Sequence, residues 1–172
     1  MMTMGSHGRR NGNTIIETAM LIPVMVLLLV GMAQIAKVTY IYFTLKKTVY
    51  SVASYLSTQQ GVNFCDASDP AIAAAINFGL TGTTDNSQPV FVGGLTADMI
   101  QVTAQRYDNL ALSLGACSCS VTGCDLAAGG TAPDYIVVSI PNGFLVQLRI
   151  PLVPAMDPIA LKPSVKVPYG GT

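Results

Sequence analysis

The N-terminal third of the chain contains a long apolar run. Residues 18–36, nineteen positions without a charge, lie between Glu17 and Lys37. At a rise of 1.5 Å per residue this run forms about 28 Å of helix, which is close to the thickness of bilayer hydrocarbon. Pro23 lies inside the run, and membrane helices tolerate proline better than soluble ones do. The pattern therefore predicts a membrane span over about residues 18–36.

Two other interpretations of the run stay open at the level of sequence. A buried core helix is also apolar, although nineteen uncharged residues are long for one. A cleaved secretory signal peptide would use Arg9 and Arg10 as its basic region and a small-residue site such as Gly31-Met32-Ala33. The apolar stretch is long for such a peptide, and the helical pattern continues beyond it without a break.

An amphipathic pattern follows the apolar run. No proline or glycine occurs between Lys37 and Gln60, and Gly61 then predicts a helix end. Apolar residues recur at steps of three and four, which predicts one continuous helical stripe. The stripe consists of Ile35, Val38, Tyr42, Leu45, Val49, Val52 and Leu56. We therefore expect one helix over residues 13–60, with an amphipathic stem over 37–60 that packs under a head or against other stems.

Residues 61–172 predict a head of mixed secondary structure. Asp69 and Pro70 predict the start of a short helix that ends at Gly79. The Asn142-Gly143 pair predicts a hairpin between two strands, and Pro163 predicts that the last strand lies at a sheet edge. The predicted strands are Met99–Ala104, Tyr135–Ile140, Phe144–Ile150 and Ile159–Val167. The fold class is therefore α+β, with a three- to four-stranded antiparallel sheet.

Four cysteines lie in the head, at Cys65, Cys117, Cys119 and Cys124. An even number beyond a membrane anchor predicts two disulfides in an oxidising compartment, with three possible pairings. Cys117 and Cys119 are poor partners for each other across one residue, so we expect Cys65 to bond one member of a disulfide-bearing loop at 108–134. A zinc site is the alternative, but the spacing lacks the usual Cys-x2-Cys motif.

Composition and charge exclude several classes of function. The chain is 51% hydrophobic and only 10% charged, with zero formal net charge. A chain without net positive charge has no field to hold nucleic acid. Its charges are segregated, because residues 1–57 carry five basic residues and one acidic residue, and residues 58–172 carry four basic and eight acidic residues. No catalytic motif is present, so we expect no enzyme activity, cofactor or metal.

The residues before the apolar run resemble the prepilin signature. Arg9 and Arg10 are followed by Gly12, and Glu17 is the fifth residue after that glycine. A small and aliphatic run then leads to Pro23. This half of the chain resembles the TadE-like branch, the minor pseudopilins of tight-adherence (Flp) type IV pili, and the order of elements in the head resembles it too. Thr18 stands where many members have Phe.

The resemblance implies a location and a set of partners. Residues 1–12 would be a cytoplasmic leader that a prepilin peptidase removes between Gly12 and Asn13. Glu17 would pair with the new amino terminus of a neighbouring pilin subunit and set the stagger between helices. The protein would cross the bacterial inner membrane once, with its head in the periplasm or at the cell surface, and act in pilus biogenesis and adhesion. The alternative is a membrane-anchored periplasmic binding module that never enters a filament.

Overall fold

The computed structural model of the chain describes residues 11–109, 112–117, 119, 124, 129–148 and 157–171, with side chains from Ile15 onward. Within these residues lie two α-helices, α1 (Asn11–Ser57) and α2 (Pro70–Thr81), and a short 3-10 helix (Ala97–Met99). The strands are β1 (Gln101–Asp108), β2 (Ser113–Ala116), β3 (Tyr135–Ser139), β4 (Phe144–Val146), β5 (Ile159–Leu161) and β6 (Ser164–Pro168). The arrangement is α+β and pilin-like, because a long apolar N-terminal helix carries a short helix and an antiparallel sheet.

α1 is one continuous helix of 47 residues, which at 1.5 Å per residue is about 70 Å long. It begins two residues before the predicted Asn13 and ends at Ser57 rather than at Gln60. Pro23 is accommodated inside it. Two backbone hydrogen bonds of the i to i−3 kind close the chain just after Ser57, and Gly61 follows with a φ of 69°. The helix therefore ends one turn before the predicted glycine.

The predicted apolar stripe on α1 is buried only in its upper part. Leu45, Val49, Val52 and Leu56 are fully buried, whereas Ile35 and Tyr42 are exposed. Val38 is half-buried against the core. The head covers the helix only from about Val38 onward, so the same periodic pattern meets two different surroundings. We call residues 15–36 the lower half of α1 and residues 38–57 its upper half.

α2 begins as predicted and ends later than predicted. The Asp69 carboxylate accepts a hydrogen bond from the Ala71 N–H at 2.8 Å, which is an N-cap. The predicted end at Gly79 is wrong, because the helix continues to Thr81 and is capped by Gly82 with a φ of 83°. Gly79 is instead buried against α1. A glycine in a helix can serve close packing as well as termination, and the sequence alone does not separate the two.

The main sheet has four antiparallel strands in the order β2-β1-β3-β6. α1 packs against β3 and β6 on one side and against α2 on another. Ile136 and Val138 of the central strand β3 are fully buried and join the upper half of α1 in one core. The core therefore lies between the upper half of α1, the sheet and α2.

The predicted hairpin after β3 is wrong. The turn forms, because the Gly143 N–H donates to the Ile140 carbonyl at 3.1 Å and Gly143 has a φ of 79°. However, β3 pairs with β1 and β6, whereas β4 pairs with β5 in a separate two-stranded sheet. The Ile140 N–H donates to the Pro163 carbonyl at 3.2 Å, so the chain leaves the main sheet at this point. Residues 149 and 150 of the predicted strand lie outside the described residues.

The predicted final strand is divided at its proline. β5 ends at Leu161 and β6 begins at Ser164, with Pro163 between them. β6 is an edge strand of the main sheet, as the proline predicted. Because proline has no N–H, it cannot continue a ladder, and the two halves of the segment join different sheets.

Candidate functional site

The lower half of α1 has the length and composition of a membrane span. Every side chain from Ile15 to Leu29 is exposed, and the most apolar window has a mean hydropathy of 2.4 with no part buried inside the protein. A core helix would be covered by the rest of the chain, so this exposure rules out the buried-helix interpretation. Among the described residues, α1 is the one helix long and apolar enough to cross a membrane.

The predicted processing and registration residues lie at the start of α1. Gly12 and Asn13 are within its first turn, and Glu17 follows Asn13 by four residues, which is about 6 Å of helical rise. The Glu17 side chain is exposed. It is therefore accessible to a neighbouring helix. Residues 1–10 of the predicted leader, which comprises residues 1–12, lie outside the described residues.

Lysines and aromatic rings follow the apolar run on the uncovered surface of α1. Lys46 and Lys47 are exposed, as the amphipathic pattern predicted, and so are Tyr40, Phe43 and Tyr50. These residue types are enriched where a helix leaves the bilayer, because each has an apolar body and a polar or charged end. The uncovered side of α1 beyond the apolar run therefore carries residue types that are common at a membrane interface.

A cavity of about 580 Å³ lies between α1 and the C-terminal end of α2. Its walls combine aromatic rings, hydroxyl groups, one lysine and glycine backbone. The lining residues are Tyr40, Phe43, Thr44, Lys47, Thr48, Ser51, Phe78, Gly79, Gly82 and Phe91. No group of acidic, histidine or cysteine residues that could hold a metal occurs among the described residues. The cavity suits an amphipathic ligand with an apolar part and an anionic or hydroxyl part.

Two disulfides join the four cysteines. Cys65 bonds Cys119, with their Cα atoms 5.6 Å apart, and Cys117 bonds Cys124, with their Cα atoms 5.9 Å apart. The prediction that Cys65 bonds one member of the cluster is confirmed. Because all four cysteines are in disulfides, no thiolate is left to bind zinc. The structure therefore contradicts the zinc alternative. The region predicted as a loop at 108–134 also contains strand β2.

Arg106 fastens the disulfide-bearing region to the sheet. Its Nη2 donates to the Thr131 carbonyl and lies 3.4 Å from Cys124 Sγ. Cys124 is fully buried. The Cys117 N–H also donates to the Ala104 carbonyl at 3.0 Å. These contacts attach the region to strand β1.

Several aspartates of the head hold turns and caps. Side-chain and backbone hydrogen bonds from Ser68 keep the pKa of Asp66 below its ordinary value. Hydrogen bonds from Ser87 similarly lower the pKa of Asp85. Asp134 Oδ2 accepts the Tyr107 N–H at 2.7 Å. Each of these carboxylates is therefore engaged with a neighbouring N–H or hydroxyl group.

The end of the described chain contacts the end of α1, which sequence reasoning missed. The Gly170 N–H donates to the Ser57 carbonyl at 2.9 Å, and the Tyr169 hydroxyl donates to the Gln59 carbonyl at 2.7 Å. Carbonyls at the end of a helix lack intrahelical partners, and these donors satisfy two carbonyls at or just beyond the end of α1. A Cβ at Gly171 would overlap the Gln59 backbone. The Gly170-Gly171 pair was the only available signal of this close approach.

Comparison with protein-family models, curated proteins and solved structures finds no match to this chain.

Proposed function

We propose that this chain is a pilin-like assembly subunit, a TadE-like minor pseudopilin of a tight-adherence pilus or a related secretion apparatus. The lower half of α1 holds the chain in the bacterial inner membrane, and the head stands in the periplasm. The head supplies the packing or adhesive surface when the subunit joins a filament. The protein is not an enzyme and needs no cofactor.

The observation that carries the proposal is the division of α1 between two surroundings. From Ile15 to Leu29 the helix is apolar and exposed, whereas Leu45, Val49 and Val52 are fully buried in the head. A continuous helix with an uncovered apolar end needs lipid or other apolar helices around that end. A subunit that passes from a membrane into a filament has lipid around that end of the helix first and the apolar helices of other subunits around it afterwards.

The disulfides support an extracytoplasmic head. Both bonds lie beyond the predicted span, and such bonds persist in oxidising compartments such as the periplasm. This location agrees with a leader on the cytoplasmic side, where the prepilin peptidase would cut between Gly12 and Asn13. Glu17 would then pair with the α-amino group of Asn13 in an adjacent subunit.

Mass spectrometry of the mature N-terminus tests the proposal directly. The full-length chain is produced in a bacterium that has a prepilin peptidase, and the envelope fraction is purified. A chain that begins at Asn13 supports the proposal. A chain that begins at Met1, or near residue 34 as a signal peptidase would leave it, contradicts it. Gly12→Val should block the cut, whereas Gly8→Val within the leader should not.

The role of Glu17 has its own test. Glu17→Ala should be cut normally but incorporated into filaments at less than about one tenth of the wild-type level, because one unpaired charge remains in an apolar setting. Thr18→Ala is the matched control and should be incorporated normally. Incorporation of Glu17→Ala at the wild-type level would contradict the pairing role.

The cavity between α1 and α2 favours a second candidate, a membrane-anchored periplasmic binding module. Its volume of about 580 Å³ is within the range of small-molecule sites, and its walls include both aromatic rings and Lys47. Cross-linking in the envelope separates the two candidates. A filament subunit forms ladders of copies through α1, whereas a binding module stays a single copy and retains its leader.

A further inference from the structure

The head has two poles along the axis of α1. Gly170, two residues after strand β6, bonds to Ser57, while Val165 near the start of that strand lines a cavity with Phe43 and Tyr50. β6 therefore runs beside α1 and away from the apolar run. We call the end of the head beside residues 37–43 its near pole and the end beside residues 57–65 its far pole.

The near pole is formed by two segments that reach α1 just after the apolar run. Phe91, in the loop after α2, lines one cavity with Tyr40 and Phe43. Leu145, in strand β4, lines another cavity with Lys37 and Ile41. Lys37 immediately follows the apolar run, and the interfacial layer outside bilayer hydrocarbon is about 6 Å thick on each side. When α1 spans a membrane, the near pole therefore lies at or next to the depth of the lipid headgroups.

Both segments present a large apolar side chain to solvent. Phe91 is 62% exposed and Leu145 is 61% exposed. Val92, Phe144 and Val146 are buried in the core, which fixes the backbone of both segments, and Val90 beside Phe91 is exposed as well. The hydrophobic effect disfavours such exposure in water and favours it beside lipid.

Backbone contacts hold the two side chains in place. The Phe91 N–H donates to the Leu80 carbonyl at 2.9 Å, and the Phe91 ring lies over Gly82. Leu145 lies opposite Ala160 in the β4–β5 ladder. Because the backbone of both residues is already ordered, inserting the side chains into an interface costs little additional conformational entropy.

Each cavity also contains a lysine. Lys47 lines the cavity of Phe91, and Lys37 lines the cavity of Leu145. An apolar side chain beside an ammonium group matches a phospholipid, whose acyl chains lie just below its phosphate. Lys37 lies at the level of the near pole, whereas Lys47 is ten residues, about 15 Å of helix, farther from the apolar run.

We propose that the near pole is a second membrane contact, at which Phe91 and Leu145 insert between phospholipids of the leaflet that α1 leaves, while Lys37 binds a phosphate. The head therefore rests on the bilayer surface and does not swing freely on its stem. This inference rests on the membrane insertion in the proposed function, but not on cleavage at Gly12 or on filament assembly.

The chain contains no tryptophan, so the fluorescence of one introduced tryptophan reports the depth of that position in the bilayer without a signal from other tryptophans. The full chain carrying Phe91→Trp or Leu145→Trp is placed at one copy per lipid nanodisc of phosphatidylethanolamine and phosphatidylglycerol. Tyr107→Trp is the control, because Tyr107 is 45% exposed and its N–H bonds to Asp134 at the far pole. Met25→Trp in the lower half of α1 reports insertion of the helix itself.

Lipids brominated near the headgroup should quench Phe91→Trp and Leu145→Trp at least about threefold more than Tyr107→Trp, since quenching needs near contact with the bromine atoms. Adding Lys37→Gln should reduce that quenching in nanodiscs containing phosphatidylglycerol. If Met25→Trp is quenched by chain-brominated lipid but Phe91→Trp and Leu145→Trp match Tyr107→Trp, the lipid contact is wrong and membrane insertion stands. If Met25→Trp is not quenched, the lipid contact of the head and the membrane insertion of α1 are both wrong. Protection from solvent that appears only with several copies per nanodisc, without quenching, would assign the near pole to a second copy and overturn the proposal.

Discussion

The two halves of α1 are parts of one helix with opposite relations to the rest of the chain. In the lower half Leu28 is 59% exposed, and in the upper half Leu45 is completely buried. Both are leucines on the same continuous helix, so helix propensity cannot explain the difference. What differs is whether α2, β3 and β6 lie alongside. The described chain leaves the apolar surface of the lower half uncovered, whereas its own head covers that of the upper half.

The largest effect that separates the halves should come from the disulfides, which constrain only the head. Replacing Cys65 and Cys119 by serine should reduce the free energy of unfolding by about 4 kcal/mol, because this bond closes a 54-residue separation. Replacing Cys117 and Cys124 should cost about 2 kcal/mol, since their separation is 7 residues. Denaturation in detergent, followed by near-ultraviolet circular dichroism, measures both losses, and far-ultraviolet circular dichroism reports the helix of the lower half. The lower half of α1 should remain helical throughout, and its loss together with the head would contradict the division.

A matched pair of leucine truncations addresses the same comparison directly. Leu45→Ala should destabilise the head by about 3 kcal/mol, because the side chain leaves a cavity in the core. Leu28→Ala should change head unfolding by less than about 0.5 kcal/mol, because its side chain touches no part of the head. Urea titration of both variants gives the two values. Equal losses would mean that the halves are not independent.

A pair of glycines sharpens the comparison at the level of one methyl group. A Cβ on Gly79 would overlap Val52 Cγ2 and lie 3.1 Å from the Thr48 carbonyl oxygen. Gly79→Ala should therefore destabilise the head by about 2 kcal/mol, although alanine is the better helix former. Gly31→Ala in the lower half has nothing within 4 Å and should leave head unfolding unchanged. Thermal unfolding of both variants tests this, and a stabilised Gly79→Ala would show that α1 and α2 can separate without cost.

The smallest expected effect concerns the hydrogen bond from Tyr169 to Gln59, just beyond the end of the upper half of α1. Burial raises the pKa of Tyr169 above its ordinary value of 10.0. The folded state therefore favours the neutral phenol, so this contribution to stability is complete below pH 10 and is lost as the pH rises through the raised pKa. Tyr169→Phe also removes the hydrogen bond to Gln59 and should cost about 1 kcal/mol at neutral pH.

The pH dependence of unfolding between pH 9 and 11 checks the sign of this effect. Tyr169→Phe should lose less stability over that interval than the parent chain does. Tyr107→Phe is the matched control, because its ring is largely exposed, and it should follow the parent. A parent chain that becomes more stable above pH 10 would contradict the assignment.

Local chemistry was enough to predict several features of the head. Asp69 was identified as a cap because its carboxylate acts within two residues, on the Ala71 N–H. Pro163 predicted an edge strand for an equally local reason, since a residue without an N–H cannot donate to a ladder. The poor geometry of a Cys117–Cys119 bond was likewise evident from their spacing. Such features depend on neighbours in the chain and not on the rest of the fold.

Features that depend on distant partners were not predictable in the same way. The turn predicted at Gly143 forms, yet β4 pairs with β5, and Ile140 bonds to Pro163 instead of continuing a hairpin. The sequence around Gly79 predicts a helix end, because nothing in it reveals that Val52 lies against this glycine. Neither Phe91 nor Leu145 stood out, because exposure beside the near pole is a property of the assembled head.

The order of apolar and charged residues was sufficient to predict an uncharged helix of membrane length and its amphipathic continuation, because hydrophobicity and helical period are properties of consecutive residues. The turn residues and the number of cysteines predicted an α+β head with two disulfides. The folded chain alone decided where the cover over α1 begins, which of the three cysteine pairings forms and which strands are neighbours. Those outcomes depend on contacts between segments tens of residues apart, and their free energies arise only when the segments pack together.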